Sequence, residues 1–331
     1  MNVLVTGGAG YIGTHVIKNL LTEGHQVICY DNLSGGFQKP IDLLKKNDSL
    51  KLIEADLADK EKLAAIFSGY RIDTVIHLAA KINAAESVLK PEIYFRENYN
   101  NSINLMEAML DAGVSKIVFA STAAVYGNPK YTPIDENHPV NPINPYGQSK
   151  LDFERYLAGC KNLKYVILRF FNVGGSDSDG LIGKSHIGST DIIEAVISTA
   201  LGQQNELKIF GSDYPTLDGT AIRDMVHVED IAQANVLALH YLNRLDVSSE
   251  IFNLGSEKGF SIKDILIAAE EIIGKKLPVT VCLRREGDIA VSIASSTKAE
   301  KILGWKKEYS NLRTIIQTDW EWRKLHPLGY K

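Results

Sequence analysis

The sequence predicts an α/β fold, a doubly wound parallel sheet joined to a smaller, mixed C-terminal domain. Three observations carry that prediction. Short apolar runs alternate with amphipathic stretches through the first half of the chain. The first run opens directly into a glycine-rich turn. Past residue 170 the alternation dissolves into Gly- and Ser-rich sequence, "FNVGGSDSDGLIGKSHIGS" at 171–189.

Six runs read as buried strands: "NVLVT" (2–6), "QVICY" (26–30), "LKLIE" (50–54), "TVIHLA" (74–79), "KIVFAS" (116–121) and "YVILRF" (165–170). They are almost continuously apolar and bounded by turn residues, as strands covered on both faces are. Helical periodicity fills the stretches between them, notably 59–68 and 92–112. Repeated β-α-β order implies a parallel sheet with right-handed crossovers. The helix in "VHVEDIAQANVLAL" and the strand "IFNLG" are expected to return to this first unit. That places a first domain over 1–170, with a return near 226–256, and a second over 171–331.

The first strand runs into "GGAGYIG", where Gly8, Gly10 and Gly13 have GxGxxG spacing and Gly7 supplies a second register, GxxGxxG. A dinucleotide site needs glycine here for a tight turn, close approach to a pyrophosphate and close packing of helix on strand. The helix N-terminus then offers free amides to the phosphates. Position strengthens the motif: it follows a strand, opens a helix, and has Asp31 eighteen residues beyond Gly13 at the end of the second strand. A carboxylate there accepts from a ribose 2′-hydroxyl and repels a 2′-phosphate, so a Rossmann unit holding NAD rather than NADP is expected. Asp56, after the third strand, suits either an adenine contact or the N-cap of the following helix.

The fifth strand ends in "ASTAAVYG", on the edge where such sheets bind ligands. Twenty-four residues after Thr122 comes "NPYGQSK", which sets Tyr146 and Lys150 four residues apart. On a helix that spacing gives both side chains one face. A phenol with a reference pKa near 10 needs a shift of roughly 3 units, about 4 kcal/mol, to act as a phenolate near neutrality. A nearby ammonium and a positive nicotinamide ring favour the phenolate by that order.

With the GxxGxxG and YxxxK marks in place, the sequence resembles the extended short-chain dehydrogenase/reductase family. Within it the chain is similar over essentially its whole length to the UDP-galactose 4-epimerases. The selective matches come late: "FGSDYPTLDGTAIRDMVHVEDIA" (210–232), "FNLGSEKGFS" (252–261), "RREGD" (284–288), "LGW" (303–305) and "DWEWRKLHPLGY" (319–330). The resemblance implies NAD-dependent 4-epimerisation of a UDP-sugar. Tyr146 would take the proton from the sugar 4-hydroxyl, Thr122 would orient that hydroxyl, and Lys150 would lower the phenol pKa and bind the nicotinamide ribose. Candidate cofactor contacts are Gly7, Gly10, Tyr11, Ile12, Gly13, Asp31, Asn32, Asp56, Leu57, Leu78, Ala79, Ser121, Tyr146 and Lys150. Asn98, ending "YFREN", matches a family asparagine near the cofactor, against the alternative of a helix-surface amide. For the substrate, the resemblance implies Asn172 on the sugar nucleotide, Phe210 against uracil, Arg223 and Arg285 on the diphosphate, and Asp288 on the uridine ribose. Arginine's planar fork suits phosphate oxygens.

Departures from the family carry information too. Seven positions after Arg285, where the family often has an aromatic, stands Ser292, so an N-acetyl group beside the sugar is expected to fit. Lys81 sits one position early in "LAAKI". Asp191-Ile192 replaces the common Asn-Leu or His-Leu, and an aspartate near a diphosphate is repulsive unless it points away. Related dehydratases place Asp-Glu after the strand-five threonine, and the decarboxylases a Glu. Ala123 and Ala124 stand there instead, which disfavours elimination, whereas a UDP-pentose or UDP-uronate epimerase needs the same residues.

The 331 residues are 45% hydrophobic and 23% charged with a net charge of −4, and carry no dense basic block, so no nucleic-acid partner is expected. No apolar run reaches the ~18–20 residues that span a bilayer. Cys29, Cys160 and Cys282 are odd in number and widely spaced, which fits a reducing cytoplasm. The histidines show no HExxH or similar cluster, so no metal is expected. His77 in "VIHLAA" reads as a structural histidine at a strand end. A homodimer through the helices of 92–112 and 146–160 follows from the resemblance.

Overall fold

The computed structural model describes residues 1–45, 48–185, 191–285 and 287–330. Its strands, in chain order, are β1 (Asn2–Thr6), β2 (Gln26–Asp31), β3 (Leu50–Glu54), β4 (Thr74–His77), β5 (Lys116–Thr122), β6 (Lys164–Phe170), β7 (Asn172–Gly174), β8 (Leu207–Phe210), β9 (Ile222–His227), β10 (Glu250–Leu254), β11 (Gly259–Ser261), β12 (Val279–Cys282) and β13 (Val291–Ser292). Seven of them form one parallel sheet in the order β10-β6-β5-β4-β1-β2-β3. The chain winds outward from β1 to β3, crosses back to β4 beside β1, and winds the other way to β6. Between β1 and β4 the order reverses, and the carboxyl ends of those strands open the crevice where such sheets bind ligands.

Each strand divides its side chains between two apolar layers, as a pleat with period two requires. Val3, Val5, Val118 and Ala120 face one layer with Val16, Ile17, Ile231 and Leu239. Leu4, Ile117 and Phe119 face the other with Leu63, Phe67, Leu105, Met109 and Phe153. The helices Tyr11–Thr22 and Val228–Leu242 therefore cover one face, and Lys60–Gly69, Asn101–Asp111 and Pro145–Gly159 the other. Beyond β6 the helices Ile192–Ala200, Ile262–Ile273 and Leu312–Leu325 bury a separate apolar cluster around Ile193, Ile265 and Ile315. The small strands β7, β9, β11 and β13 lie together, and β8 pairs with β12.

Two local features depart from the expected elements. β4 ends at His77, two residues before the end of the apolar run 74–79, because the glycine loop lies against Leu78 and Ala79. The expected helix over 92–112 is instead Pro91–Phe95, a widened π-helical turn at Arg96–Asn100, and Asn101–Asp111. Such turns recur at functional sites, and this one carries Asn98. No helix among the described residues is long and apolar enough to cross a membrane.

Candidate active site

The loop after β1 is packed backbone to backbone. Gly7 has φ +69°, and a Cβ on it would fall 2.5 Å from the amide nitrogen of Ala79. A Cβ on Gly13 would fall 2.3 Å from the Gly7 carbonyl oxygen. Any side chain at either place would push the loop off the end of β4 or the helix off the loop. Helix Tyr11–Thr22 starts from Gly10 with no side-chain cap, so no side chain competes for its first-turn amides, those of Tyr11, Ile12 and Gly13. Those amides, at a helix N-terminus on the switch-point edge, fit a pyrophosphate. At the end of β2 the buried Asp31 accepts from the Ala9 amide at 3.0 Å and the Leu33 amide at 2.8 Å. Burial raises its pKa, and the two amide bonds oppose the shift.

Asp56 accepts from Ala58 N–H at 2.8 Å and from Asn32 Nδ2 at 2.5 Å, which fixes the rim after β2 and β3 beside buried Leu57. It is not the helix cap. Asp59 caps Lys60–Gly69, accepting from Lys62 N–H at 3.0 Å, since it stands immediately before the first helical residue.

The catalytic candidates meet because of how one helix starts. Asn144 caps Pro145–Gly159 by accepting from Gly147 N–H at 2.8 Å, and Pro145 occupies the first turn, where its missing N–H costs nothing. A Cβ on Gly147 would lie 2.6 Å from the Ala124 carbonyl oxygen, so glycine lets the helix abut the turn Ala123–Tyr126 that follows β5. That contact brings the Tyr146 phenol into a hydrogen bond with the Thr122 hydroxyl. One turn on, Lys150 is 3% exposed, donates from Nζ to the Ala120 carbonyl at 2.8 Å, and stands 4.7 Å over the Phe119 ring.

Burial lowers the Lys150 pKa to about 7, with the Glu154 carboxylate opposing it. Burial likewise raises the Tyr146 phenol above its ordinary value, with the Thr122 bond opposing. The expectation that Lys150 depresses the phenol is therefore corrected for the protein alone. Desolvation acts on both groups, and Nζ is tied to Ala120.

Beneath the pair lies a network that spacing alone had not marked. Arg169 donates from Nε to Glu154 Oε1 at 3.0 Å, from Nη2 to Oε2 at 2.5 Å, and from Nη1 to the Tyr126 hydroxyl at 2.8 Å. Tyr126 passes its proton to Asn253 Oδ1 at 2.7 Å. Ser121 donates its hydroxyl to Glu154 at 2.5 Å, so only its backbone is left for a ligand. The signal was present, since Glu154 is four residues from Lys150 and Arg169 is a charge within an apolar strand.

Asn98 is buried, which excludes the helix-surface reading. Its amide closes a two-way bond with the Lys81 backbone, at 2.7 and 2.9 Å, and reaches Ser149 at 3.1 Å. It thereby ties the loop after β4 to the helix of Tyr146. His77 is enclosed between the Thr6 hydroxyl at 2.6 Å and the Ser102 hydroxyl at 2.8 Å, and burial lowers its pKa to about 3.

A second cluster forms around β9. Arg223 Nη1 donates to the carbonyls of Ile222 and Ile289, and Nη2 lies 3.9 Å from Asp288. Asp288 also accepts from Arg285 Nε at 3.0 Å, so one carboxylate holds two guanidiniums. Arg285 lies 4.6 Å over the Phe210 ring. Tyr214, not marked from sequence, is buried beside them with its hydroxyl lacking a hydrogen-bond partner. Ser292 is 6% exposed and in register with Arg223, and paired residues project to one face of a sheet. Asn172, part-exposed, pairs in register with Met225. The two clusters are joined by packing: Ala294 and Phe171 share an apolar cluster with Val125 and Leu151. Asp191 caps Ile192–Ala200 and pairs with Lys184 at 3.3 Å, which resolves the expected repulsion. The rest of the stretch before it, 188–190, lies outside the described residues.

The family model of the NAD dependent epimerase/dehydratase family matches residues 3–255. The UDP-glucose 4-epimerase of Lacticaseibacillus casei is 45% identical, over 100% of this chain and 99% of that protein. A UDP-glucose 4-epimerase structure from Stenotrophomonas maltophila, with bound NAD and formylated UDP-arabinopyranose, superposes with TM-score 0.94 at 37% identity, covering 99% of each chain. One from Bifidobacterium longum, in complex with NAD+ and UDP, superposes with TM-score 0.93 at 34% identity, covering 100% of each.

Proposed function

This chain belongs to the NAD dependent epimerase/dehydratase family, and on that premise we propose that it interconverts UDP-galactose and UDP-glucose by inverting C4. The observation that carries the reading is Tyr146 hydrogen-bonded to Thr122 one helical turn from Lys150, at the carboxyl end of β5. NAD, bound on the glycine loop with its ribose at Asp31, takes the C4 hydride and returns it to the opposite face of the sugar. Tyr146 removes the proton from the 4-hydroxyl and gives it back, while Thr122 aligns that hydroxyl. Lys150, in its charged form, favours the phenolate, and Glu154 beneath it supports that charge. Arg223 and Arg285 grip the diphosphate and Phe210 stacks on the uracil, so the sugar turns while its nucleotide stays fixed. Ala123 and Ala124 provide no acid or base for elimination.

Residues 1–170 with the return at 226–256 form the NAD-binding part of this reading, and 171–331 the UDP-sugar-binding part. The working enzyme is a cytoplasmic homodimer joined through the helices of 92–112 and 146–160, a state that sedimentation measures. A wider substrate range has a specific support: Ser292 leaves the space of a ring open on the Arg223 face, so UDP-GalNAc and UDP-GlcNAc enter as well.

The deciding experiment supplies UDP-galactose and UDP-GalNAc separately to purified protein without added NAD. The nucleotide sugars are resolved at equilibrium. Conversion of both is expected. Conversion of UDP-galactose alone removes the Ser292 argument, and conversion of neither, even with NAD added, moves the substrate to a UDP-pentose or UDP-uronate.

A further inference from the structure

Two helices end together on the side of the sheet opposite the catalytic crevice. Helix Tyr11–Thr22 stops at Glu23, its C-cap residue, and His25 immediately precedes β2 at the amino edge of the sheet. His240 lies in the last turn of Val228–Leu242, which packs beside the first helix on one face of the sheet. One ligand atom from each of Glu23, His25 and His240 lies within 4.8 Å of the other two. Glu23 Oε2 is 2.8 Å from His240 Nε2 and 3.5 Å from His25 Nε2.

The geometry points to a metal site in which Glu23, His25 and His240 hold one borderline divalent cation of the Zn2+, Ni2+ or Cu2+ class. Imidazole pairs and a carboxylate are the donor set these ions prefer. Bonds of about 2.0–2.1 Å in a tetrahedron separate ligand atoms by roughly 3.3 Å, and the two measured separations bracket that value. His25 gives an independent sign. It is 8% exposed and its Nε2 has no hydrogen-bond partner, a buried group that a cation would satisfy. Its other nitrogen, Nδ1, lies 3.4 Å from the Met1 amino nitrogen, which orients the ring. Burial, and after it the Met1 amino group, lowers the His25 pKa, so the imidazole is neutral near pH 7 as a ligand must be. Both helices also turn carbonyl ends toward the cluster, and those partial negative charges favour a cation. Glu23 and His240 are partly exposed, so the remaining coordination positions face water. Spacing in sequence hid the site because its ligands come from the ends of two separate helices.

The test uses tag-free protein with its NAD, stripped of metal by a chelator and titrated with Zn2+ at neutral pH by calorimetry. One equivalent per chain is expected. His240→Ala and Glu23→Gln should each weaken binding at least tenfold and leave epimerase turnover unchanged. Zn2+ at a hundredfold its Kd should raise the Tm by about 4 °C, a shift lost in both variants. Both substitutions fall on part-exposed side chains, so the fold is kept. Absence of stoichiometric binding, or stoichiometric binding that neither substitution weakens, overturns the site.

Discussion

Replacing Tyr146 by Phe removes one oxygen and leaves the ring where it is, in edge contact with Tyr94 at 6.4 Å and 76°. The lost bond to Thr122 is neutral, so the fold should lose only about 1 kcal/mol. The effect on chemistry is far larger. Burial holds the phenol above its ordinary pKa, so ionising it near pH 7 costs at least ~4 kcal/mol before Lys150 and the bound cofactor contribute. A base so positioned supplies on the order of 10²–10⁴ in rate, about 3–5 kcal/mol of barrier. Tyr146→Phe should therefore lower kcat by that factor with KM nearly unchanged, because the arginines and Phe210 that hold the nucleotide are untouched. NAD content, read after denaturing the purified variant, should match the wild type. Lys150→Met should cost a similar factor, and the double variant little more than either alone, since the two side chains act as one unit. Turnover of Tyr146→Phe within tenfold of wild type, or additive losses in the double variant, would refute the base assignment.

Three further outcomes follow from the same geometry. Ser292→Tyr should cut turnover of UDP-GalNAc by about tenfold or more while UDP-galactose turnover changes little, and equal loss on both would count against the open pocket. Lys150 has a folded pKa of about 7, below its unfolded value near 10.4, so between those pH values the unfolded chain holds more protons. Cofactor-free wild type should thus gain stability as pH rises from 7 to 10, whereas cofactor-free Lys150→Met should not. At pH 6 the variant should be more stable by on the order of 3 kcal/mol, and a pH-independent difference in urea denaturation would sink the reasoning. Finally, Arg323 and Glu194 form a fully buried pair at 2.7 Å, so Arg323→Met strands a carboxylate and should cost about 3–5 kcal/mol. A loss below about 1 kcal/mol in chemical denaturation would mean that Glu194 takes up a proton at little cost.

The sheet was legible because burial on both faces writes itself as uninterrupted apolar runs. β1, β3 and β5 lie where those runs lie, and the chain returns to the sheet at β10 as "IFNLG" suggested. The glycine loop was legible for a related reason, since Gly7 and Gly13 stand where backbone meets backbone and no other residue fits. The π-helical turn at Arg96–Asn100 was not legible. Its sequence is ordinary helix, and only packing against Ser149 and the Lys81 backbone turns Asn98 inward.

Spacing read Tyr146 and Lys150 as two faces of one charge argument, a phenol depressed by an ammonium. In the fold, each is governed first by loss of water, and each has a nearer partner, Thr122 for the phenol and the Ala120 carbonyl for the ammonium. Glu154 is what keeps Lys150 from being neutral outright, and Glu154 itself is held by Arg169 and Ser121. The motif is therefore longer than YxxxK: the carboxylate one turn further along the helix, fixed by an arginine at the end of β6, sets how readily the lysine stays charged. No pattern of four residues encodes that, because Arg169 reaches the site through the pairing of β5 with β6 and not through the helix.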